Sequence, residues 1–181
     1  MDGFGATAPL LQSGIDDMER MITLNVNVLT RLAYAAAPAF VARGTGTIIN
    51  IASIVALAPE LLNGVYGGSK AYVLAFSQSL QHELADKSVG DQAVLPAPTA
   101  TDFWDVAGLR VAHLPQEIVM PVEAMVDAAL AGLAQGELVT IPALAELKDW
   151  NALEIARKAL APQLSSSAPA PRYRAASAAN H

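Results

Sequence analysis

Apolar positions along the chain fall into blocks of two kinds, one at helical spacing and one in short β-branched runs. Residues 1–14, rich in Gly, Ala and Pro, read as a loop. Met18, Met21, Ile22, Val26, Leu29 and Ala33 then recur every three to four positions. They predict a helix to about Ala42, with Asp16 or Asp17 as its cap. Leu24 and Val28 make the opposite face apolar too, so little of this helix is expected to be solvated. Pro38 is expected to bend its last turns, and Gly44-Thr45-Gly46 to end it. The run Thr47-Ile48-Ile49-Asn50-Ile51 shows no polar alternation, which predicts a strand buried on both faces, as in a parallel sheet. A loop through Pro59 and Asn63-Gly64 leads to a second long helix over about Val65 to Lys87. A short strand, Gln92 to Leu95, closes at Pro96-Ala97-Pro98. Residues 99–118 look irregular and carry Phe103, Trp104 and Leu109, a candidate lid. A helix from about Pro121 to Gln135, a strand from Leu138 to Ile141 and a helix from about Leu144 to Leu160 follow. Residues 161–181, rich in Ser, Ala and Pro, are expected to be a disordered tail. Alternating strands and helices with long crossovers make this an α/β pattern.

Composition narrows the class. A length of 181 residues fits one domain with a sizeable core, and 53% hydrophobic against 15% charged residues excludes a mainly disordered chain. A mean hydropathy of +0.35 raises the question of a membrane span. The longest apolar stretch, Ile48 to Pro59, is broken by Asn50 and Ser53 and falls short of the roughly 20 residues a span needs. The surplus apolarity therefore belongs to a core or a subunit interface. A net charge of −6 without a Lys/Arg cluster argues against nucleic acid and anionic membranes as partners. With no cysteine, disulfides and thiolate metal sites are excluded, and His82, His113 and His181 show no metal-ligand spacing. The start, MDGFGATAPLL, has no basic segment followed by an apolar one, so the expected location is cytoplasmic.

The strongest chemical signal is Tyr66-Gly67-Gly68-Ser69-Lys70. Tyr and Lys at i and i+4 share one helix face. An ammonium beside a phenol lowers its pKa from about 10, so that the phenol can trade protons with a carbonyl or an alcohol. Alone, the pair also fits an ordinary surface helix. Ser53 lies just past the end of the apolar strand, where open α/β sheets place their ligands, although a lone serine there also fits a turn. Asn25 sits mid-helix against its propensity, either for a purpose or as a buried amide bonded to backbone, with Asn27 a nearby rival.

Taken together, Leu24-Asn25-Val26, Ile49-Asn50-Ile51-Ala52-Ser53, Tyr66-Gly67-Gly68-Ser69-Lys70-Ala71 and Leu95-Pro96 with Thr99 and Thr101 resemble the short-chain dehydrogenase/reductase family in order and spacing, over about Gly3 to Ile141. The resemblance implies the C-terminal part of a Rossmann-like doubly wound parallel sheet with flanking helices. It implies an oxidoreductase that uses NAD or NADP and interconverts a small-molecule carbonyl and its alcohol. Tyr66 would be the general acid/base and Lys70 would lower its pKa and hold the nicotinamide ribose. Ser53 would position the substrate oxygen, Asn25 would support a water-mediated proton relay, and Pro96, Thr99 and Thr101 would lie on the nicotinamide side. A homo-oligomer is implied as well, built on the long helices, whose small residues Ala71, Ala75 and Ser79 suit close helix contact.

The chain also departs from the family. No strand and glycine-rich turn for a pyrophosphate precede the first long helix; Gly3-Phe4-Gly5 is the only glycine-rich candidate, and the residue that chooses between NAD and NADP is missing. Residues 1–160 are accordingly expected to be a partial catalytic domain, N-terminally truncated. In Val89-Gly90-Asp91-Gln92, Gly90 and Asp91 weaken the strand start, and a buried, unpaired Asp91 would be costly. Ala97 stands where the family has Gly and would be strained at positive φ. These departures leave open a second reading, a non-catalytic dimerisation or binding module, or a fragment, derived from such an enzyme.

Overall fold

The computed structural model describes residues 7–107 and 111–173. It divides into two compact units, Met1–Ala143 and Leu144–His181. In the first, helix α1 (Ile15–Ile22) begins after Gly14 rather than at an aspartate cap, and Asp16 and Asp17 fall in its first turn, where their charge suits the N-terminal dipole. A π-helical segment, Thr23–Val28, joins it to α2 (Leu29–Arg43). The helix continues past Pro38 and ends at Gly44, whose φ of 70° lets the chain turn without a Cβ in the way.

Three parallel strands follow, β1 (Gly46–Ile51), β2 (Val89–Val94) and β3 (Val139–Thr140), in the order β1-β2-β3. Register runs from Gly46 opposite Val89 to Ile51 opposite Val94, then from Ala93 opposite Val139. The connections are α3 (Gly64–Leu84) and α5 (Val122–Ala134), with the short α4 (Phe103–Ala107) between β2 and α5. On β2, Gln81 of α3 donates to both the carbonyl and the carboxylate of Asp91, while the next residue, Gln92, donates to Ala129 O of α5 at 2.9 Å. Neighbouring strand residues point to opposite faces, so α3 and α5 cover opposite sides of a parallel sheet, as in a doubly wound fold.

Several local expectations change. Strand β2 starts at Val89, three residues before the expected Gln92, because Asp91 is not unpaired: Asn50 of β1 donates to it at 3.2 Å, while Gln81 reaches it from α3. Asn50 also donates to Ser77 at 2.9 Å, so a buried polar set ties β1, β2 and α3 together. Ala97 carries no strain of the kind expected; among the described residues Ser88 is the non-glycine at positive φ. Strand β1 is not buried on both faces. Ile49 and Ile51 are 40% and 47% exposed on the face opposite Asn50, which turns toward α3; among the described residues β1 is also the sheet's edge and pairs with β2 alone. Residues 99–118 hold α4 and 3-10 turns at Val111–His113 and Gln116–Ile118 rather than irregular chain, and Leu109 of the expected lid lies outside the described residues.

In the second unit, α6 spans Leu147–Leu160, and single 3-10 turns occur at Ala161–Gln163 and Pro171–Tyr173. Among the described residues no helix is long and apolar enough to cross a membrane.

Candidate active site

Chain entry into the site is set by β1. After Ile51 the backbone stays tied to the sheet, with Ala52 N donating to Val94 O at 2.8 Å and Ile54 N to Pro96 O at 3.1 Å. Ser53, extended at the start of the Ile54–Ala56 turn, accepts from Val55 N and donates to Pro96 O, both at 3.4 Å. Its hydroxyl is thereby held at the carboxyl end of the strands, where open α/β sheets form their binding crevice.

Helix α3 brings up the next groups. Asn63 caps it by accepting from Val65 N at 2.8 Å and anchors it to the N-terminal segment by donating to Ala8 O at 2.6 Å. Tyr66 follows in the first turn, buried against Met18, Met21, Val55 and Ala107. Its ring lies 5.6 Å from that of Phe103 on α4. Gly67 has a steric reason: a Cβ there would come within 3.1 Å of Pro59 Cβ and 3.2 Å of its Cα. One turn on, Lys70 donates to Ile51 O at 3.0 Å, and its Nζ stands 5.8 Å from the centre of the Tyr66 ring. Asn25, in the π-helical segment, donates to Ser69 Oγ at 3.0 Å, and Ser69 donates to Tyr66 O at 2.8 Å. The wide turn inserts an extra residue into the helix ladder, a feature frequent at functional sites. Asn27, the rival, is exposed.

Beyond β2, the segment Pro96 to Thr101 forms the far wall. Thr99 donates to Ala97 O at 3.0 Å, its carbonyl accepts from Trp104 Nε1 at 2.8 Å, and it bridges to Met120. Tyr66, Lys70, Ser53, Asn25, Pro96, Thr99 and Thr101 all line one cavity of about 1200 Å³. Sequence reasoning did not single out Ser69, the Ile51 carbonyl or Glu117, which also borders the cavity. Ser69 was visible inside the Tyr66–Lys70 segment; a backbone carbonyl acceptor and a carboxylate contributed by a distant turn leave no local signal.

Electrostatics differ from the sequence expectation. Burial pushes the Tyr66 phenol above its ordinary value, and a hydrogen bond with the Ser53 side chain opposes this only in part. Lys70 does not lower it here, because the ammonium is spent on the Ile51 carbonyl and is itself disfavoured by burial, which brings its pKa down to about 8. The phenol is therefore held as an acid at neutral pH, beside a cation and a serine hydroxyl. Such a trio can deliver a proton to an oxygen lodged between Ser53 and Tyr66.

A family model described as short chain dehydrogenase matches residues 3–109. A short-chain dehydrogenase from Sphingobium yanoikuyae, solved in complex with NADPH, is 46% identical with a TM-score of 0.89, over 95% of this chain and 66% of that one. The bulky-bulky ketone specific alcohol dehydrogenase from Comamonas testosteroni is 41% identical with a TM-score of 0.82, over 96% of this chain and 65% of that one. Among curated proteins, 2-dehydro-3-deoxy-L-rhamnonate dehydrogenase (NAD(+)) from a Sphingomonas species is 30% identical over 131 residues, 72% of this chain and 50% of its own length. The chain thus spans about half the length of that curated relative and about two thirds of the two solved ones. With its parallel sheet, its site at the strand ends and a family match over more than half its length, the chain belongs to the short-chain dehydrogenase family.

Proposed function

We propose that this chain carries the catalytic half of an NAD- or NADP-dependent oxidoreductase that interconverts a small-molecule ketone or aldehyde and its alcohol. The observation that supports it most is the convergence of Ser53, Tyr66 and Lys70, from two separate elements, on one cavity at the carboxyl end of β1 and β2. The cavity fits the nicotinamide end of the cofactor: Lys70 and Tyr66 form one side and Pro96, Thr99 and Thr101 the other. Gly3-Phe4-Gly5 lies outside the described residues. When bound, the reduced nicotinamide supplies a hydride to the carbonyl carbon. Ser53 holds the carbonyl oxygen by a hydrogen bond, and Tyr66 gives that oxygen its hydroxyl proton; the phenolate left behind is stabilised when the Lys70 ammonium turns to it from the Ile51 carbonyl. Oxidation runs the same transfers in reverse. Asn25 fixes Ser69 and with it the first turn of α3, supporting the proton's return path to solvent. The working form is a cytoplasmic homo-oligomer with no nucleic-acid or membrane partner, a reading supported by the acidic charge and the exposed apolar residues Leu32 and Tyr34 on α2.

The test is a melting experiment on the 181-residue chain with and without NAD(H) or NADP(H), followed by loss of reduced-nicotinamide absorbance over a panel of ketones. A cofactor that binds the native state alone raises the melting temperature. Turnover that falls at least about 100-fold in Tyr66→Phe, with melting unchanged, supports the reading. A cooperative melt that no cofactor shifts, with no ketone turned over, overturns it in favour of a binding module.

A further inference from the structure

Two polar bridges tie the π-helical segment Thr23–Val28 and the start of α2 to α3, and both land on or next to the turn that carries Tyr66 and Lys70. In the first, Asn25 Nδ2 donates to Ser69 Oγ at 3.0 Å, and the Ser69 hydroxyl donates to Tyr66 O at 2.8 Å. In the second, Thr30 donates to Val26 O at 2.7 Å and lies 2.6 Å from the Tyr72 hydroxyl. A hydroxyl has a single proton to give, and that of Thr30 goes to Val26, so Tyr72 donates to Thr30. Serines inside helices often bond back to the preceding turn with nothing further attached. Ser69 differs: it is 4% exposed, and it also accepts from an amide 44 positions earlier in the chain. Tyr66 O is, besides, the acceptor that α-helical register assigns to the Lys70 N–H. One carbonyl therefore joins the backbones of Tyr66 and Lys70 and, through Ser69, the π-helical segment. A π turn is rare and needs support from its surroundings, which α3 supplies here. Helix α3 touches both that segment and β1, and Lys70, next after Ser69, sets its ammonium on Ile51 O at 3.0 Å, withdrawn from water.

We propose that Ser69 is a positioning residue of the site: held by Asn25, it locks the Tyr66–Lys70 turn to the π-helical segment and so keeps the phenol and the ammonium in working register. The inference rests on the carbonyl/alcohol reading, which gives that register its use, but it is tested without turnover. Carbon-13 NMR of the lysine ε-carbons follows the titration of Lys70 in the 181-residue chain, with Lys70→Arg identifying its signal among the other lysines. The native midpoint should fall near 8. Ser69→Ala frees the turn and lets water reach the ammonium. It should raise the midpoint toward the ordinary lysine value of about 10, by at least about threefold in proton affinity. Asn25→Ala, at a half-buried position that tolerates truncation better, should move it the same way. The double variant should match Ser69→Ala, because both changes break one chain of bonds. Gly132→Ala, which loosens α5 against β3 instead, should leave the midpoint where it is. An unmoved midpoint in Ser69→Ala, effects of the two substitutions that simply add, or an equal rise in Gly132→Ala overturns the proposal. If Ser69→Ala does not fold, an unmoved midpoint in Asn25→Ala overturns it as well. A raised midpoint with no ketone reduced by the native chain removes the carbonyl/alcohol reading and leaves the lock standing. Ketones reduced by the native chain, with the midpoint unmoved in the variants, do the opposite.

Discussion

Among the described residues, burial moves the titration of Lys70 and Asp91 into the range near neutral pH. Lys70 has its pKa brought down to about 8, so its ammonium is present at neutral pH and lost as pH rises through that value. If that charge sustains the Tyr66 phenolate, ketone reduction should decline above about pH 8. Lys70→Arg, which keeps its charge at any accessible pH, should abolish the decline even where it lowers the rate. A pH profile of kcat for both chains decides this. Asp91 is opposite in kind. Burial pushes its carboxyl up to about 7, against partial compensation from Gln81. The folded chain thus keeps this proton to about pH 7, while the unfolded chain releases it near 4. Between those values the folded state binds more protons, so stability is greatest at the acid end and falls as pH rises to about 7. Asp91→Asn retains the Asn50 and Gln81 neighbours without the charge. It should flatten that slope and raise the melting temperature at pH 8 by a few degrees. At this scale the Tyr66–Lys70 spacing alone fitted a surface helix pair equally well; the family resemblance singled out Tyr66, Lys70 and Ser53, which line one cavity. The direction of the Tyr66 shift was not legible, because it depends on the burial by Met18, Met21 and Phe103 and on a carbonyl that captures the ammonium.

Helices and strands were mostly legible where periodicity was long. Helix α3 was expected over Val65 to Lys87 and runs Gly64–Leu84, and α5 was expected over Pro121 to Gln135 and runs Val122–Ala134. Strand β2 was shortened in the sequence reading because Gly90 and Asp91 are poor strand formers. The register against β1 and the amides of Asn50 and Gln81 override that preference. The π-helical segment around Asn25 had no signal in the sequence beyond one misplaced asparagine. Packing between α5 and β3 is tight at Gly132, where a Cβ would stand 2.3 Å from Thr140 Oγ1. Thr140 is held there by Gln92 and Glu137, both at 2.8 Å. Gly132→Ala should therefore destabilise the chain by about 1–3 kcal/mol, measured by urea unfolding, despite alanine's better helix propensity.

For the molecule as a whole, the apolar surplus found in the composition is displayed rather than buried. Leu24, Val28 and Leu32 form an exposed row along the first helical rod, Leu32 at 65% and Tyr34 beside it at 72%. A second copy laid along this row would remove it from water. Light scattering should therefore find a dimer or larger species, and Leu32→Glu should shift it toward monomer without changing the fold. The sequence by itself determined the α/β class, the order of elements and the family, because alternating blocks of apolar residues and four spaced segments are local in the chain. Only the tertiary structure decided that Ile49 and Ile51 are exposed, that Asp91 is paired, that the phenol is held protonated, and that Glu117 borders the site. Each of those depends on residues distant in sequence meeting in a low-dielectric interior or at its border, where burial and neighbours, not the residue's own type, set charge and cost.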